Sequence, residues 1–99
     1  MKYKAEVVIN REVIRNFYFD NLTHPRQVAR KVVQSMNKKL NYYIIAIVND
    51  AGEAWAFSVR IEGLKKFVRP IDKYGVIFNK TEIDMIFTGN KHVSEAILR

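Results

Sequence analysis

The residues best suited to bind a partner lie in a segment that contains no acidic residue. The twenty-nine residues between Asp20 and Asp50 include five Lys or Arg and neither Asp nor Glu. Charge of one sign on one surface attracts anions, whereas mixed charge is enough for solubility. Arg and Lys pair with phosphates, and Gln hydrogen-bonds to phosphates or base edges. The residues predicted to bind nucleic acid here are Arg26, Gln27, Arg30, Lys31, Gln34, Lys38 and Lys39.

The same segment also has a simpler interpretation, a solvated face that is basic because the whole chain is basic. Seventeen Lys and Arg against ten Asp and Glu give a net charge of +7. A purely structural helix face is often supported by Glu–Lys pairs four residues apart, and this segment has none. We therefore favour nucleic acid, either DNA or RNA, as the partner. A solvated face, an acidic host protein and an anionic lipid surface remain open alternatives.

A second group of cations lies between residues 60 and 73. Glu62 and Asp72 interrupt it, and Phe67 and Tyr74 lie among its members, where aromatic rings could stack on bases. Lysines on an edge strand also protect a sheet from aggregation, which is the competing explanation. The candidates for nucleic-acid binding in this group are Lys65, Lys66 and Arg69, beside Arg60 and Lys73.

Catalytic chemistry has little support in the sequence. His24 and His92 are the only histidines and lack the spacing of metal ligands, and the chain has no cysteine. Asp50 with Glu53 could bind a divalent cation, but turn chemistry also explains this pair. The four glycines are scattered, so no phosphate-binding loop is formed. We expect no catalytic residue, metal or cofactor, and a small metal-dependent nuclease is the third functional hypothesis.

A helix predicted at residues 24–40 would position the first group of cations. From Val28 the apolar residues recur at helical spacing, so that cations and amides occupy the opposite side. Thr23 is expected to cap the helix, and His24 to help its start. Pro25 suits a first turn, and Asn41 a left-handed stop.

Alternating apolar residues predict a β-hairpin before this helix. Residues 2–10 and 13–19 both alternate, and a short polar turn separates them. In the first strand Tyr3 lies on the apolar side, whereas Lys4 and Glu6 lie on the opposite, polar side.

A second hairpin is predicted after the helix. Residues 42–48 are apolar in both alternating sets, as in a central strand, and residues 53–61 follow a turn that contains Gly52. A weaker strand at 65–71 is confined to a sheet edge because it contains Pro70. The turn Asp72–Gly75 and a short returning strand would complete a third hairpin.

The C-terminal part predicts two short helices. Thr81 to Asp84 resembles a capping box that opens the first, Gly89 closes it, and residues 90–99 form the second. The predicted fold is a single α+β domain over residues 1–99, with an antiparallel sheet of four to six strands in the order ββα-ββ-β(β)-α. The main amphipathic helix packs on one face, and the C-terminal helices close an edge or the same face.

Two further expectations concern assembly and location. Strands that are apolar on both sides leave more apolar surface than one helix covers, so we predict a homodimer that shares the sheet or the strand 42–48. The longest apolar run is far shorter than the ~20 residues that span a bilayer, and no signal-peptide core is present. We therefore expect a cytoplasmic protein without a membrane span.

The composition carries one resemblance. The chain lacks cysteine and is rich in Ile, Tyr, Lys and Asn, residues with A/T-rich codons. In this compositional style it resembles the short orphan proteins of filamentous and rod-shaped viruses that infect hot-spring archaea. The resemblance implies a viral or mobile-element origin and a location in the host cytoplasm.

Overall fold

The computed structural model describes residues 1–71 and 76–98 and contains one antiparallel sheet with helices on both of its faces. Within these residues the sheet has five strands in the order β2-β1-β3-β4-β5. This confirms the predicted α+β fold with a sheet of four to six strands. The elements are β1 (Tyr3–Ile9), β2 (Glu12–Phe19), α1 (Pro25–Ser35), β3 (Tyr42–Asn49), β4 (Ala54–Glu62), β5 (Lys65–Pro70), α2 (Lys80–Phe87) and α3 (Val93–Ile97).

The first two predicted hairpins form, and each turn depends on residues with positive φ. Asn10 and Arg11, at φ 51° and 68°, make the two-residue turn between β1 and β2. Gly52, at φ 85°, lies between β3 and β4, where a Cβ atom would come within 2.6 Å of the Phe78 carbonyl oxygen. Strand β5, which contains Pro70, lies at the edge of the sheet, as predicted. The predicted turn Asp72–Gly75 lies outside the described residues.

Helix α1 covers one face of the sheet, which we call the α1 side. Its apolar stripe, including Val28 and Val32, is completely buried against alternate residues of the central strands, among them Ile45 and Val59. The apolar side of the helix and the apolar sides of the strands therefore form one core. Around it pack the partly buried side chains Phe17, Phe19, Leu22, Leu40 and Trp55.

Helices α2 and α3 cover the opposite face, which we call the α2–α3 side. We expected the C-terminal helices to close an edge or to share the face of α1, and this expectation is wrong. Small side chains on β3 and β4, such as Ala46 and Ala56, let these helices pack closely, with Ile86 and Ile97 buried against them. The apolar surface that motivated the homodimer is thus largely covered within the chain, and the dimer stays a prediction.

Helix α1 is shorter than its predicted range of 24–40. It ends at Ser35, and Met36 adopts an extended conformation that turns its side chain into the core. Lys38 and Lys39 therefore lie in the turn that follows. Asn41 has no positive φ and is not a left-handed stop. The remaining three cations of the segment are on the helix itself.

The caps also differ in detail from the expectation. His24, not Thr23, is the cap of α1, because its Nδ1 accepts a hydrogen bond from the Arg26 amide at 3.1 Å. Asn79 caps α2 by accepting from the Glu82 amide, so the helix starts earlier than a Thr81 capping box predicts. Gly89 follows the end of α2 at φ 85°, as predicted.

Tyr43 supplies a test of core packing. Its side chain is buried on the α1 side, burial raises the pKa of its hydroxyl, and no described residue accepts or donates a hydrogen bond there. We expect Tyr43→Phe to raise the free energy of unfolding by about 1 kcal/mol, because it removes an unsatisfied polar atom and keeps the ring. Urea unfolding measures the change, with exposed Tyr18→Phe as the control. A destabilised Tyr43→Phe would show that the hydroxyl has a partner.

Candidate nucleic-acid interface

The outward side of α1 carries cations and an amide on successive turns. Because the stripe through Val28 and Val32 is buried, the residues on the other side of the helix face solvent. Arg26, Arg30 and Lys31 are all exposed, and no acidic residue occurs in the helix. The exposed surface of α1 and the turn after it is called here the α1 face, and it consists of Arg26, Gln27, Arg30, Lys31, Gln34, Lys38 and Lys39.

Strand β2 adds a cation that sequence reasoning missed. Arg15 donates from its guanidinium to the Ser35 carbonyl oxygen at 3.1 Å, at the C-terminal end of α1. The guanidinium carbon also lies 4.6 Å from the centre of the Phe17 ring. The two contacts hold the positive charge of Arg15 beside the α1 face. Only the packing of α1 against β2 reveals this placement, since no local pattern links these residues.

Gln27 has a structural role at the start of α1. Its Oε1 accepts hydrogen bonds from the Thr23 amide at 3.0 Å, the Thr23 hydroxyl at 3.2 Å and the His24 amide at 3.2 Å. With the His24 side chain this makes a reciprocal capping box. Any contact between Gln27 and nucleic acid would therefore come from its amide NH2 group. Gln34 is not part of this capping box, so its side-chain amide is the better placed of the two to contact nucleic acid.

The second group of cations is divided between the two faces of the sheet. Lys66 pairs with Ile61 of β4, and its side chain lies on the α1 side. Lys65 and Arg69 alternate with it and lie on the α2–α3 side. The ten predicted binding residues therefore do not form one surface, because Lys65 and Arg69 point away from α1.

A buried ionic network lies on the α2–α3 side, at the positions predicted to form the polar side of β1. Lys4 and Glu6 are both 0% exposed. The Lys4 ammonium donates to the Ile86 carbonyl oxygen at 2.8 Å and lies 3.4 Å from a Glu6 carboxylate oxygen. The same oxygen is 2.8 Å from His92 Nδ1, and the other accepts from the Ser94 amide at 2.9 Å. The network ties α2 and α3 to the central strand β1.

The network was missed because alternation alone does not separate a solvated face from a buried polar one. Lys4 and Glu6 are two residues apart, so the strand period puts them on the same side. That spacing shows only that the two charges are neighbours. Whether other elements cover them depends on where α2 and α3 pack, which the periodicity of β1 does not encode.

The carboxylates of the described residues do not form a metal site. Within residues 1–71 and 76–98 no group of three or more His, Asp or Glu could hold a metal ion. Glu53 accepts a hydrogen bond from the Asn49 side chain at 3.2 Å, and Asn49 Oδ1 accepts from the Ala51 and Glu53 amides. These contacts are turn chemistry, which supports the simpler explanation of Asp50 and Glu53. The metal-dependent nuclease stays a prediction.

Three acidic side chains line a cavity beside α2 that is separate from the α1 face. A cavity of about 720 Å³ is lined by Asp20, Asp50 and Asp84 together with Lys2 and Lys80. Burial, followed by the negative charges of Glu53 and Asp50, raises the pKa of the neighbouring Tyr3 hydroxyl, which is therefore protonated at neutral pH. No residue of the α1 face lines this cavity, although Arg26 lines a neighbouring one together with Glu53.

Comparisons with known proteins found no relative of this chain. No protein family, curated protein or solved structure matches the chain. Among the described residues no helix is long and apolar enough to cross a membrane. The function therefore has to be argued from the geometry of the chain, and the viral resemblance stays a prediction.

Proposed function

We propose that the protein binds nucleic acid through the α1 face, without catalysing a reaction. One observation carries the proposal: the exposed side of α1 and the turn after it present five cations and no acid. A surface of this kind attracts the phosphate backbone of DNA or RNA. Arg15 extends the positive charge at the C-terminal end of the helix.

The arrangement favours binding with modest sequence preference. Arg26, Arg30 and Lys31 are long, exposed cations that can each neutralise a phosphate. Gln34 is the amide best placed to hydrogen-bond to a base edge or a phosphate. Phosphate contacts set position and affinity, whereas base contacts set specificity, so one amide among five cations predicts weak discrimination.

Salt dependence tests the proposal. Fluorescence anisotropy of labelled duplex DNA, duplex RNA and single strands, measured with the wild-type protein, should show binding at low salt. If the five cations each neutralise a phosphate, log K should fall with log salt concentration with a slope of about −4.5 for duplex DNA. Negligible affinity for all three probes at low salt would refute nucleic-acid binding.

A second experiment, a pull-down, separates binding to nucleic acid from binding to an acidic host protein. A lysate pull-down with the wild-type protein, repeated after nuclease treatment, should lose its captured material if nucleic acid mediates the association. A protein partner that survives nuclease treatment, together with no binding to the labelled probes, would instead make the α1 face a protein epitope.

A further inference from the structure

A row of aromatic and guanidinium side chains crosses three strands on the α2–α3 side of the sheet. Tyr42 of β3 is paired with Arg60 of β4, which is paired in turn with Phe67 of β5. Paired residues on one face of an antiparallel sheet have Cβ atoms about 5 Å apart. The three side chains are therefore neighbours, with Arg60 on the strand between the two aromatic residues.

The next row supplies a hydroxyl and a second cation. Ser58 of β4 is paired with Arg69 of β5, one step along the strands from the first row. These two residues, with the three of the first row, line a shallow cleft of about 190 Å³. We call this surface the sheet platform, and it consists of Tyr42, Ser58, Arg60, Phe67 and Arg69.

Arg60 is held in place within the sheet platform. Its guanidinium carbon lies 5.0 Å from the centre of the Phe67 ring, and its Nε lies 3.3 Å from a Glu62 carboxylate oxygen. Both Arg60 and Glu62 are more than half exposed, so the ion pair itself contributes little stability. What the contacts provide is orientation: a positively charged group fixed beside the ring and facing solvent.

The sheet platform lies beyond the helices that cover this face. Helices α2 and α3 pack on Ala46, Val48, Ala54 and Ala56, whereas Tyr42 and Arg60 lie at the other end of β3 and β4. No described residue of α2 or α3 lines the cleft. The Tyr42 side chain is 56% exposed, so its ring is open to a ligand.

We propose that the sheet platform binds single-stranded nucleic acid, with bases stacking on Tyr42 and on Phe67. Strands are about 4.8 Å apart, so rings on β3 and β5 are separated by about 10 Å. That separation exceeds the ~3.4 Å rise between stacked bases in a duplex, and it suits unstacked bases of a single strand. Arg60 and Arg69 lie between and beside the rings, where the phosphates of the strand would pass.

Charge complementarity favours this occupant. Arg60 and Arg69 of the sheet platform and the neighbouring Lys65 outnumber the two nearby acids, Glu62 beside Arg60 and Glu95, which lines an adjacent cavity with Tyr42. An acidic peptide could meet the cations, but it would leave the exposed Tyr42 ring without a planar partner. The inference does not rest on the proposed function, because the sheet platform and the α1 face lie on opposite sides of the sheet.

Titration of a labelled twelve-nucleotide oligo(dT) and oligo(rU) tests the inference. Tyr42→Leu keeps an apolar side chain without the ring, and Arg69→Gln removes the charge. Tyr42→Leu is expected to weaken single-strand binding about 5- to 100-fold, as the loss of one stacked base does. Arg69→Gln is expected to weaken it about fivefold at 0.1 M salt, the effect of one lost phosphate contact to a single strand. Tyr42→Trp should retain the affinity and show fluorescence quenching on binding, which a merely structural role would not produce.

The matched control is Tyr18→Leu, because Tyr18 is exposed to the same extent on the same side of the sheet but lies outside the sheet platform. Thermal unfolding checks that each variant is folded. Unchanged single-strand affinity in both Tyr42→Leu and Arg69→Gln would overturn the inference, whatever the duplex result. Displacement of the oligonucleotide by poly-glutamate at similar concentration, with no effect of Tyr42→Leu, would also overturn it in favour of an acidic protein.

Variants of the α1 face and of the sheet platform show separately whether the proposed function or this inference fails. Loss of duplex binding in variants of the α1 face, with single-strand binding intact, would support two separate surfaces. Loss of single-strand binding only in variants of the α1 face would instead place both ligands there and reject the sheet platform.

Discussion

Replacing Glu6 by Leu is expected to lower the free energy of unfolding by about 3–5 kcal/mol, the usual effect of removing one partner of a buried ion pair. The Glu6 carboxylate contacts the Lys4 ammonium at 3.4 Å, His92 Nδ1 at 2.8 Å and the Ser94 amide at 2.9 Å. Without it, the completely buried Lys4 side chain loses its counter-charge and keeps only the Ile86 carbonyl at 2.8 Å and the Tyr18 ring, whose centre is 5.7 Å away, as described partners. Urea unfolding followed by circular dichroism measures the loss.

A double-mutant cycle measures the coupling free energy between Lys4 and Glu6. Lys4→Met alone should be destabilising by a similar amount, because it leaves the Glu6 carboxylate buried without its cation. The double variant Lys4→Met with Glu6→Leu should be destabilised by clearly less than the sum of the two. Glu12→Leu, an exposed position on β2, is the matched control and should change stability by no more than about 0.5 kcal/mol. Additive effects in the cycle would contradict the ionic pairing.

The double charge reversal Arg30→Glu with Lys31→Glu is expected to weaken duplex binding about 10- to 100-fold at 0.1 M salt. Each phosphate neutralised is worth roughly eightfold at that concentration, because counterion release sets the affinity. Both side chains are exposed and contribute nothing to the core, so the fold should be unaffected. The salt dependence should also flatten, with the slope reduced by about 2. Anisotropy titrations at several salt concentrations measure both quantities.

The effect of net charge needs a control, because replacing any two cations by glutamate lowers the net charge of the protein by the same amount. Lys2→Glu with Lys80→Glu changes two exposed cations that line the cavity beside α2, away from the α1 face. This variant should retain most of the duplex affinity and a nearly unchanged salt slope. Equal losses in the two double variants would show that binding follows the overall charge and not the α1 face.

The two proposed surfaces differ in the chemistry that they offer. The α1 face has cations and amides without rings, which suits the regular phosphates of a duplex or a folded RNA. The sheet platform has rings at about 10 Å, with Arg60 on the strand between them and Arg69 beside them, which suits a strand whose bases are unstacked. A protein with both surfaces could hold a duplex on one side and a displaced strand on the other.

Several elements could be predicted from the sequence because their signals are local. The stripe beginning at Val28 repeats every three to four residues, and this period is sufficient to identify α1 and the side on which its cations lie. The strand alternation around Tyr3 and the Asn10 turn likewise identify the first hairpin. The end of α1 was predicted too late, because Met36 leaves the helix to reach the core, which is a tertiary preference.

The functional surfaces depended more strongly on tertiary structure. The sequence groups Lys65, Lys66 and Arg69 as neighbours, but pairing with β4 puts Lys66 on one face and the other two on the opposite face. Register also brings Tyr42 beside Arg60, although they are eighteen positions apart in the chain. Such pairs are set by hydrogen bonds between strands, and no local pattern encodes them.

By itself, the sequence determined the class of fold, the position of the main helix and the single sign of charge on its exposed side. All three follow from composition and from short periods along the chain, which bring a residue's near neighbours onto a common side. Only the tertiary structure decided that α2 and α3 cover the second face, that Lys4 and Glu6 are buried beneath them, and that Tyr42 and Phe67 flank Arg60. These placements arise from packing and strand pairing between distant segments.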